Sequence, residues 1–408
     1  MFFQICMGMK YLWQPFDQQR SFLLRLTSGD KQDVFHIKDM DSEYFYHVLV
    51  DDICVKEGTI LNKSSPGKCV CKSEWKGKRC GMPKILQTAS WMKNATLYSN
   101  LQIRKKPRRI ILAITFSGAF EILEANVNEM VGLVDVFLLG EMNYTQENNV
   151  KTSLPLLERL KSGWLSEHQH KFIYIPVPEK DIVKSSFLQN VVDVGLRMIS
   201  DIRPDDLLMF SNGNEILRRN VMIFLKIFRN YPLPIQCHYQ HYIYGFFYKA
   251  NKDQSGICGI TIHLLSNAFE YKLSRLETGL MYKEDVKFFQ NVEQPIVSWV
   301  LPDAGWKCLF CLPPEDLYSQ LVRFPNASRP QWFKNSSTSM IPFIERLMKF
   351  GQNLDLEPVG VAHIPPIEEL PNYVSQNRIV YKKLLQNPYE IITLKVLQNI
   401  DDESQKTS

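Results

Sequence analysis

From Arg108 onward the apolar positions fall into two alternating periods. Ile110-Ile111-Leu112-Ala113-Ile114 is an unbroken apolar run, the pattern of a short buried strand. Phe120, Leu123, Val127 and Met130 then recur at helical spacing, and Val134-Asp135-Val136-Phe137-Leu138-Leu139 forms a second strand run. Strand, helix and strand with short connections predict parallel strands joined by a right-handed crossover. The alternation continues with a strand at Phe172–Ile175, a helix at Phe187–Ile199 carrying Leu188, Val191, Val192 and Leu196, a strand at Asp206–Phe210, and a helix at Val221–Phe228. Tyr242–Tyr248 is aromatic-rich and reads as one more strand. The prediction is an α/β sheet flanked by helices. Past about residue 260 the pattern becomes irregular, with proline joints at 313–314 and 365–366.

Ahead of this region the pattern is of another kind. Four of the nine cysteines, Cys54, Cys69, Cys71 and Cys80, fall within one short stretch. Cys69-x-Cys71 followed by Trp75, Gly77 and Cys80 has the spacing of the C-terminal half of an EGF-like module. Gly77 supplies a turn conformation that a side chain would oppose, and a segment this small needs covalent staples. Zinc is the competing reading, against which stand the C-x-C spacing and the lack of a nearby histidine. The expected pairs are Cys54–Cys69 and Cys71–Cys80, with the other connectivities open. Cys308 and Cys311 form a C-x-x-C read as a structural disulfide or paired thiols, with Cys237 and Cys258 as further possible partners. The chain divides into an N-terminal segment 1–53, the stapled module 54–83, a linker 84–107, the α/β domain 108–395 and a polar tail 396–408.

Bulk composition adds exclusions. Of 408 residues, 45% are hydrophobic and 22% charged, enough apolar content for a sizeable core. A net charge of +5 does not indicate a nucleic-acid partner. The basic run from Arg104 to Arg109 lacks aromatic interleaving and reads as a solvated linker. No stretch reaches the about 18 apolar residues of a membrane span, and the first residues carry neither a basic n-region nor a cleavage site. Sequons at Asn62, Asn94, Asn143, Asn326 and Asn335 agree with a lumenal address.

Ligands of open α/β sheets bind beyond the carboxyl ends of strands. One such end is Thr115-Phe116-Ser117-Gly118, which carries neither a dinucleotide fingerprint nor a P-loop. The other is Ser211-Asn212-Gly213-Asn214-Glu215. Paired carboxylates there would hold Mn2+ or Mg2+ against a diphosphate, yet only Glu215 is acidic, with Asn212 and Asn214 offering amide oxygens. A plain Asn-Gly turn is the alternative. Glu141 ends the second strand run, placed either to accept from a base or ribose hydroxyl or to cap a helix or loop. Asp205-Asp206 reads as a turn. His238 and His241, three apart on a strand, face opposite sides and share no metal.

A set of motifs in order along the chain resembles glycosyltransferase family 17. They include Cys69-x-Cys71 with Trp75, Gly77 and Cys80-Gly81-x-Pro83, Glu141-x-Asn143-x-Thr145, Arg203-Pro204-Asp205-Asp206, Tyr244-Gly245-Phe246-Phe247, Ala304-Gly305-Trp306-x-Cys308-x-x-Cys311 and Asn387-Pro388-Tyr389. The resemblance spans roughly positions 43 to 390. It implies a GT-A-like mixed sheet, a divalent metal (Mn2+ or Mg2+), a membrane anchor and a Golgi lumenal location. The implied reaction is inverting transfer of N-acetylglucosamine from UDP-GlcNAc in beta-1,4 linkage to the core mannose of an N-glycan on glycoproteins. Carried onto this chain, the catalytic carboxylate is Glu215, the nucleotide-sugar contacts are Glu141, Asn143, Asn212 and Asn214, and the metal ligands are Asn214 and Glu215. The family's acidic run is replaced here by Ser211-Asn212-Gly213-Asn214-Glu215, and Pro302 and Lys307 stand near the places of its histidines.

Three functions follow as expectations: an active UDP-sugar transferase, an inactive relative that binds N-glycans or a partner transferase, and an EGF-like adhesion protein. Donor binding with and without Mn2+ separates the first two, and the long α/β region argues against the third.

Overall fold

A computed structural model describes residues 34–49, 52–65, 67–143, 154–182, 186–250, 254–276, 299–323, 329–334, 340–360 and 362–388. All six residues of β1, Ile110–Thr115, are buried, which is what a continuous apolar run requires when both faces of a strand are covered. β2 (Val136–Asn143) and β3 (Phe172–Pro178) extend the sheet on one side of it in parallel, and β4 (Leu207–Ser211) lies parallel on the other side. The remaining strands are β5 (Glu215–Leu217), β6 (Ile235–Ile243), β7 (Gly245–Lys249), β8 (Gln254–Thr261) and β9 (Trp299–Leu309). Among the described residues the sheet has nine strands in the order β5-β9-β6-β8-β4-β1-β2-β3, with β7 paired to β6. β8 runs antiparallel to both β4 and β6, whereas β9 runs parallel to β6 and antiparallel to β5. It is therefore a mixed sheet.

Helices cover both faces. α1 (Phe120–Met130) packs Leu123, Val127 and Met130 into one core with Ile110, Leu112 and Ile114. α2 spans Pro155–Lys161. α3 (Phe187–Arg197) covers the other face, its Val191, Val192 and Leu196 meeting Ile111, Ala113 and Leu138. The Ser186 hydroxyl caps α3 by accepting from the Gln189 amide. α4 (Arg219–Ile227) joins the first core and α5 (Ile262–Phe269) the second. α6 (Pro314–Arg323) and α7 (Ile341–Phe350) pack with Phe247 and Tyr248 of β7.

Cys54–Cys69 and Cys71–Cys80 are both paired. The stapled segment has no separate core, because Val55, Trp75 and Met82 sink into the same cluster as Phe224 of α4. Gly58 fits beneath it only without a side chain: a Cβ would stand 2.0 Å from the Cys80 carbonyl oxygen. Cys308 pairs with Cys311, and Cys237 with Cys258. The C-x-x-C is thus the structural disulfide that the sequence pattern predicts. Cys237 and Cys258, its possible further partners, pair with each other because β6 and β8 lie side by side.

Other expectations change with tertiary context. Tyr242–Tyr248 is a hairpin with its turn at Tyr244 (φ 64°), not one strand. The basic run is not all solvated: Arg108 and Arg109 are buried, with Arg109 bonding both oxygens of Asp206 and one of Asp201. Asp206 is thereby a buried ion-pair partner rather than a plain turn residue. The irregular region past residue 260 contains α5 and the 11-residue β9. His238 and His241 do lie on one strand, β6. Cys6 and the tail 396–408 lie outside the described residues, as do Asn326 and Asn335. Among the described residues no helix is long and apolar enough to cross a membrane.

Candidate active site

β1 is the point at which the parallel sheet changes direction of growth, with β2 and β3 on one side and β4 on the other. The crevice at the carboxyl ends of β1 and β4 is therefore the topological switch point, where such sheets bind ligands. Two loops meet there. The chain leaves β1 through Phe116, Ser117 and Gly118 into α1, and leaves β4 through Asn212, Gly213 and Asn214 into β5. Gly213 is needed at the crossing: its φ is +75°, and a Cβ would lie 2.3 Å from the Thr115 carbonyl oxygen.

A cleft of about 370 Å³ opens above these ends. Its walls include Thr115 at the end of β1, Ser117 and Gly118 after it, Glu141 near the end of β2 and Asn212 after β4. The fourth wall is α6, through Asp316, Gln320 and Arg323. Their spacing of four and three residues puts them on one helical face, while Leu317 and Leu321 turn inward and are fully buried. The Gln320 Nε2 donates to the Ser117 carbonyl oxygen at 2.9 Å, docking this face over the loop after β1. The Gln320 Oε1 is buried with no hydrogen-bond partner among the described residues.

Glu141 is buried and accepts three hydrogen bonds, from the amides of Leu156 (2.7 Å) and Leu157 (3.1 Å) and the hydroxyl of Tyr174 (2.6 Å). It thus serves the N-terminus of α2, whose own N-cap Leu154 supplies no side-chain bond. Burial pushes the Glu141 carboxyl up, opposed by these three donors. Burial and the same carboxylate raise the Tyr174 hydroxyl far above its ordinary value, so it remains a donor.

Glu215 begins β5 and is 6% exposed. Its Oε1 lies 3.1 Å from the Lys307 ammonium on the facing position of β9. The Asn212 Nδ2 donates to the same oxygen at 3.4 Å, and the Asn212 amide donates to Oε2 at 3.2 Å. The Asn214 carbonyl accepts from the Cys308 amide, and its Oδ1 is buried without a partner among the described residues. Glu141 and Asn212 therefore share the cleft wall. Glu215 and Asn214 adjoin the cleft through the Asn212 loop but are not among its lining residues. The side chain of Asn143 lies outside the described residues.

Mn2+ or Mg2+ takes a set of hard oxygen ligands, with one or two protein carboxylates completed by water and substrate phosphate. Here Glu215 already faces an ammonium, and Glu141 is held by two amides and a hydroxyl. Asp303, the nearby carboxylate of β9, bonds Arg218 at 2.7 Å and Gln240 at 2.8 Å. Among the described residues no three His, Cys, Asp or Glu side chains converge. Asp316 is the exposed carboxylate left in the cleft lining, and one carboxylate beside already engaged neighbours is a poor fit to a divalent cation.

The sequence pattern did not pick out Asp316, Gln320 or Arg323. Their 316, 320, 323 spacing was available, but a polar helical stripe alone reads as a solvated face. It gains meaning only when α6 is seen lying against Ser117.

Residues 82–329, well over half the chain, match the profile of glycosyltransferase family 17. The chain is 26% identical over 414 aligned positions to the beta-1,4-mannosyl-glycoprotein 4-beta-N-acetylglucosaminyltransferase of Rattus norvegicus, covering 87% of this chain and 76% of that protein. To the protein of the same name from Homo sapiens it is 27% identical, covering 86% of this chain and 75% of the other. The matched stretch holds β1 to β9, the cleft and α6, and on that footing the chain belongs to glycosyltransferase family 17 and is a glycosyltransferase.

Proposed function

We propose that the chain transfers N-acetylglucosamine from UDP-GlcNAc, with inversion and in beta-1,4 linkage, to the core mannose of N-glycans on glycoproteins. The observation that carries this reading is the cleft at the β1–β4 switch point, built within the family-matched stretch and walled by polar groups from three strands and α6. The names of the relatives supply the sugar, the mannosyl acceptor and the linkage.

Inverting transfer needs a base for the acceptor hydroxyl and positive charge for the departing diphosphate. Asp316 is the exposed carboxylate of the cleft, on the first turn of α6, and we assign it as the base. Glu215, the sequence-based choice, is ion-paired to Lys307 and orients Asn212 instead. The N-terminus of α1 opens beside Ser117 and Gly118, and its N-cap Ala119 contributes no side-chain bond, so its amide end faces anions favourably. Glu141 braces α2 under the cleft and retains lone pairs for a donor hydroxyl.

Paired cysteines favour an oxidising compartment, and the Golgi lumenal setting is part of the same proposal. A membrane anchor and a UDP-GlcNAc donor belong to the same reading. The test is transfer from UDP-GlcNAc to a free biantennary N-glycan, with linkage assigned by NMR. Asp316→Asn should lower kcat by about a hundredfold or more while the protein stays folded and binds donor. Unchanged kcat in that variant would remove Asp316 from the mechanism.

The Glu215–Lys307 pair also favours a second reading, a relative that binds N-glycans or a partner transferase without turnover. Folded protein that binds glycan but transfers nothing would select it.

A further inference from the structure

We infer that this chain holds the donor's diphosphate without a divalent cation: Lys307 neutralises the loop carboxylate that would draw a metal, and Arg323 supplies positive charge across the cleft. The inference rests on the transferase reading above and concerns how the same site handles charge.

Three features lead to it. Both oxygens of Glu215 are engaged, one by the Lys307 ammonium and an amide group, the other by the Asn212 backbone. Lys307 is held opposite Glu215 by the β5–β9 register, and both side chains are largely enclosed, at 17% and 8% exposure. A divalent cation would have to displace the ammonium or sit beside it, and like charges at one enclosed carboxylate repel strongly. The second feature is that two neighbouring carboxylates are engaged as well, Asp303 through its Oδ1 by Arg218 and Gln240, and Glu141 by α2 and Tyr174. That leaves Asp316 as a single exposed carboxylate in the cleft lining among the described residues.

The third feature is Arg323. It ends α6 on the face shared with Asp316 and Gln320, and lines the cleft. Gln320 fixes that face to the loop after β1, the loop that leads into the N-terminus of α1. A guanidinium fork on one wall and a helix N-terminus on the other suit two adjacent phosphates. The Gln320 Oε1, without a partner among the described residues, offers an acceptor to a ligand hydroxyl or N–H.

The test uses the full chain. Manganese titration followed by electron paramagnetic resonance should leave the free Mn2+ signal undiminished. Calorimetry with UDP-GlcNAc should give the same Kd within about twofold in EDTA and in Mn2+, while Arg323→Gln weakens binding about tenfold or more, the size of a lost charge-assisted contact. Arg323→Lys should fall between, since it keeps the charge and loses the fork. Stoichiometric Mn2+ uptake, donor binding that needs Mn2+, or unchanged affinity in Arg323→Gln would each overturn the inference, and none of these would touch the transferase reading. Absence of donor binding in both buffers would instead overturn the transferase reading and the role of Arg323 with it.

Discussion

Glu141 and Glu215 are both buried carboxylates, and their partners decide what each can do. Glu141 faces two amides and a hydroxyl, so removing it uncaps α2 and strands the buried Tyr174 hydroxyl. Glu141→Ala should cost about 2–4 kcal/mol in denaturant unfolding, the sum of a lost cap and an unsatisfied buried polar group. A loss below about 0.5 kcal/mol, the range of an ordinary surface substitution, would show that α2 does not depend on it. Asp201 sets a pH dependence. Burial alone would raise its carboxyl, but the Ile37 amide and the Arg109 guanidinium hold it below its ordinary value of 3.8. A depressed folded pKa stabilises above the unfolded value and is lost as pH falls through the folded one. Stability should therefore drop below about pH 4, and Asp201→Asn should flatten that part of a pH–Tm profile. Of these residues, Glu141 and Glu215 were marked by strand-end position, which follows from the local pattern. Lys307 as the partner of Glu215 was not legible, since it lies on a strand made adjacent only by the fold.

At the scale of elements, strands read correctly where burial is two-sided. β1 to β4 and helices α1, α3 and α4 were legible because their apolar runs or periods are unbroken. β9 was not, because Pro302, Asp303, Gly305 and Lys307 interrupt its alternation; Asp303 has a φ of 45°, and the β6–β9 register shifts beside it. Two elements also carry measurable energy. The Cys54–Cys69 link closes a loop of 15 residues, for which chain entropy gives about 3 kcal/mol. The Cys54→Ser/Cys69→Ser double variant should lose about 2–4 kcal/mol of unfolding free energy, and an unchanged midpoint would mean the segment is held by Trp75 and Val55 packing alone. Lys226 of α4 pairs with Asp135, both about 1% exposed, and Asp135 also accepts from the Ile110 amide that begins β1. Lys226→Met should cost about 3–5 kcal/mol, because it leaves a buried carboxylate unpaired. Stability equal to the parent would show that the carboxylate is protonated or hydrated in the fold.

Over the whole molecule, the stapled segment and the mixed sheet share one core, and the switch-point cleft opens on the far side of β1 from the Arg109–Asp206 pair at its start. The cleft lies within the family-matched stretch, and the engaged Glu215 beside it is the ground on which donor binding without a metal is proposed. The most direct measurement is transfer with EDTA present: full-length protein, UDP-GlcNAc and a free biantennary N-glycan, with products read by mass spectrometry and linkage by NMR. The expected result is addition of one N-acetylhexosamine in beta-1,4 linkage to the core mannose, at a rate unchanged by Mn2+. No addition with or without Mn2+, by protein shown to be folded, would contradict it.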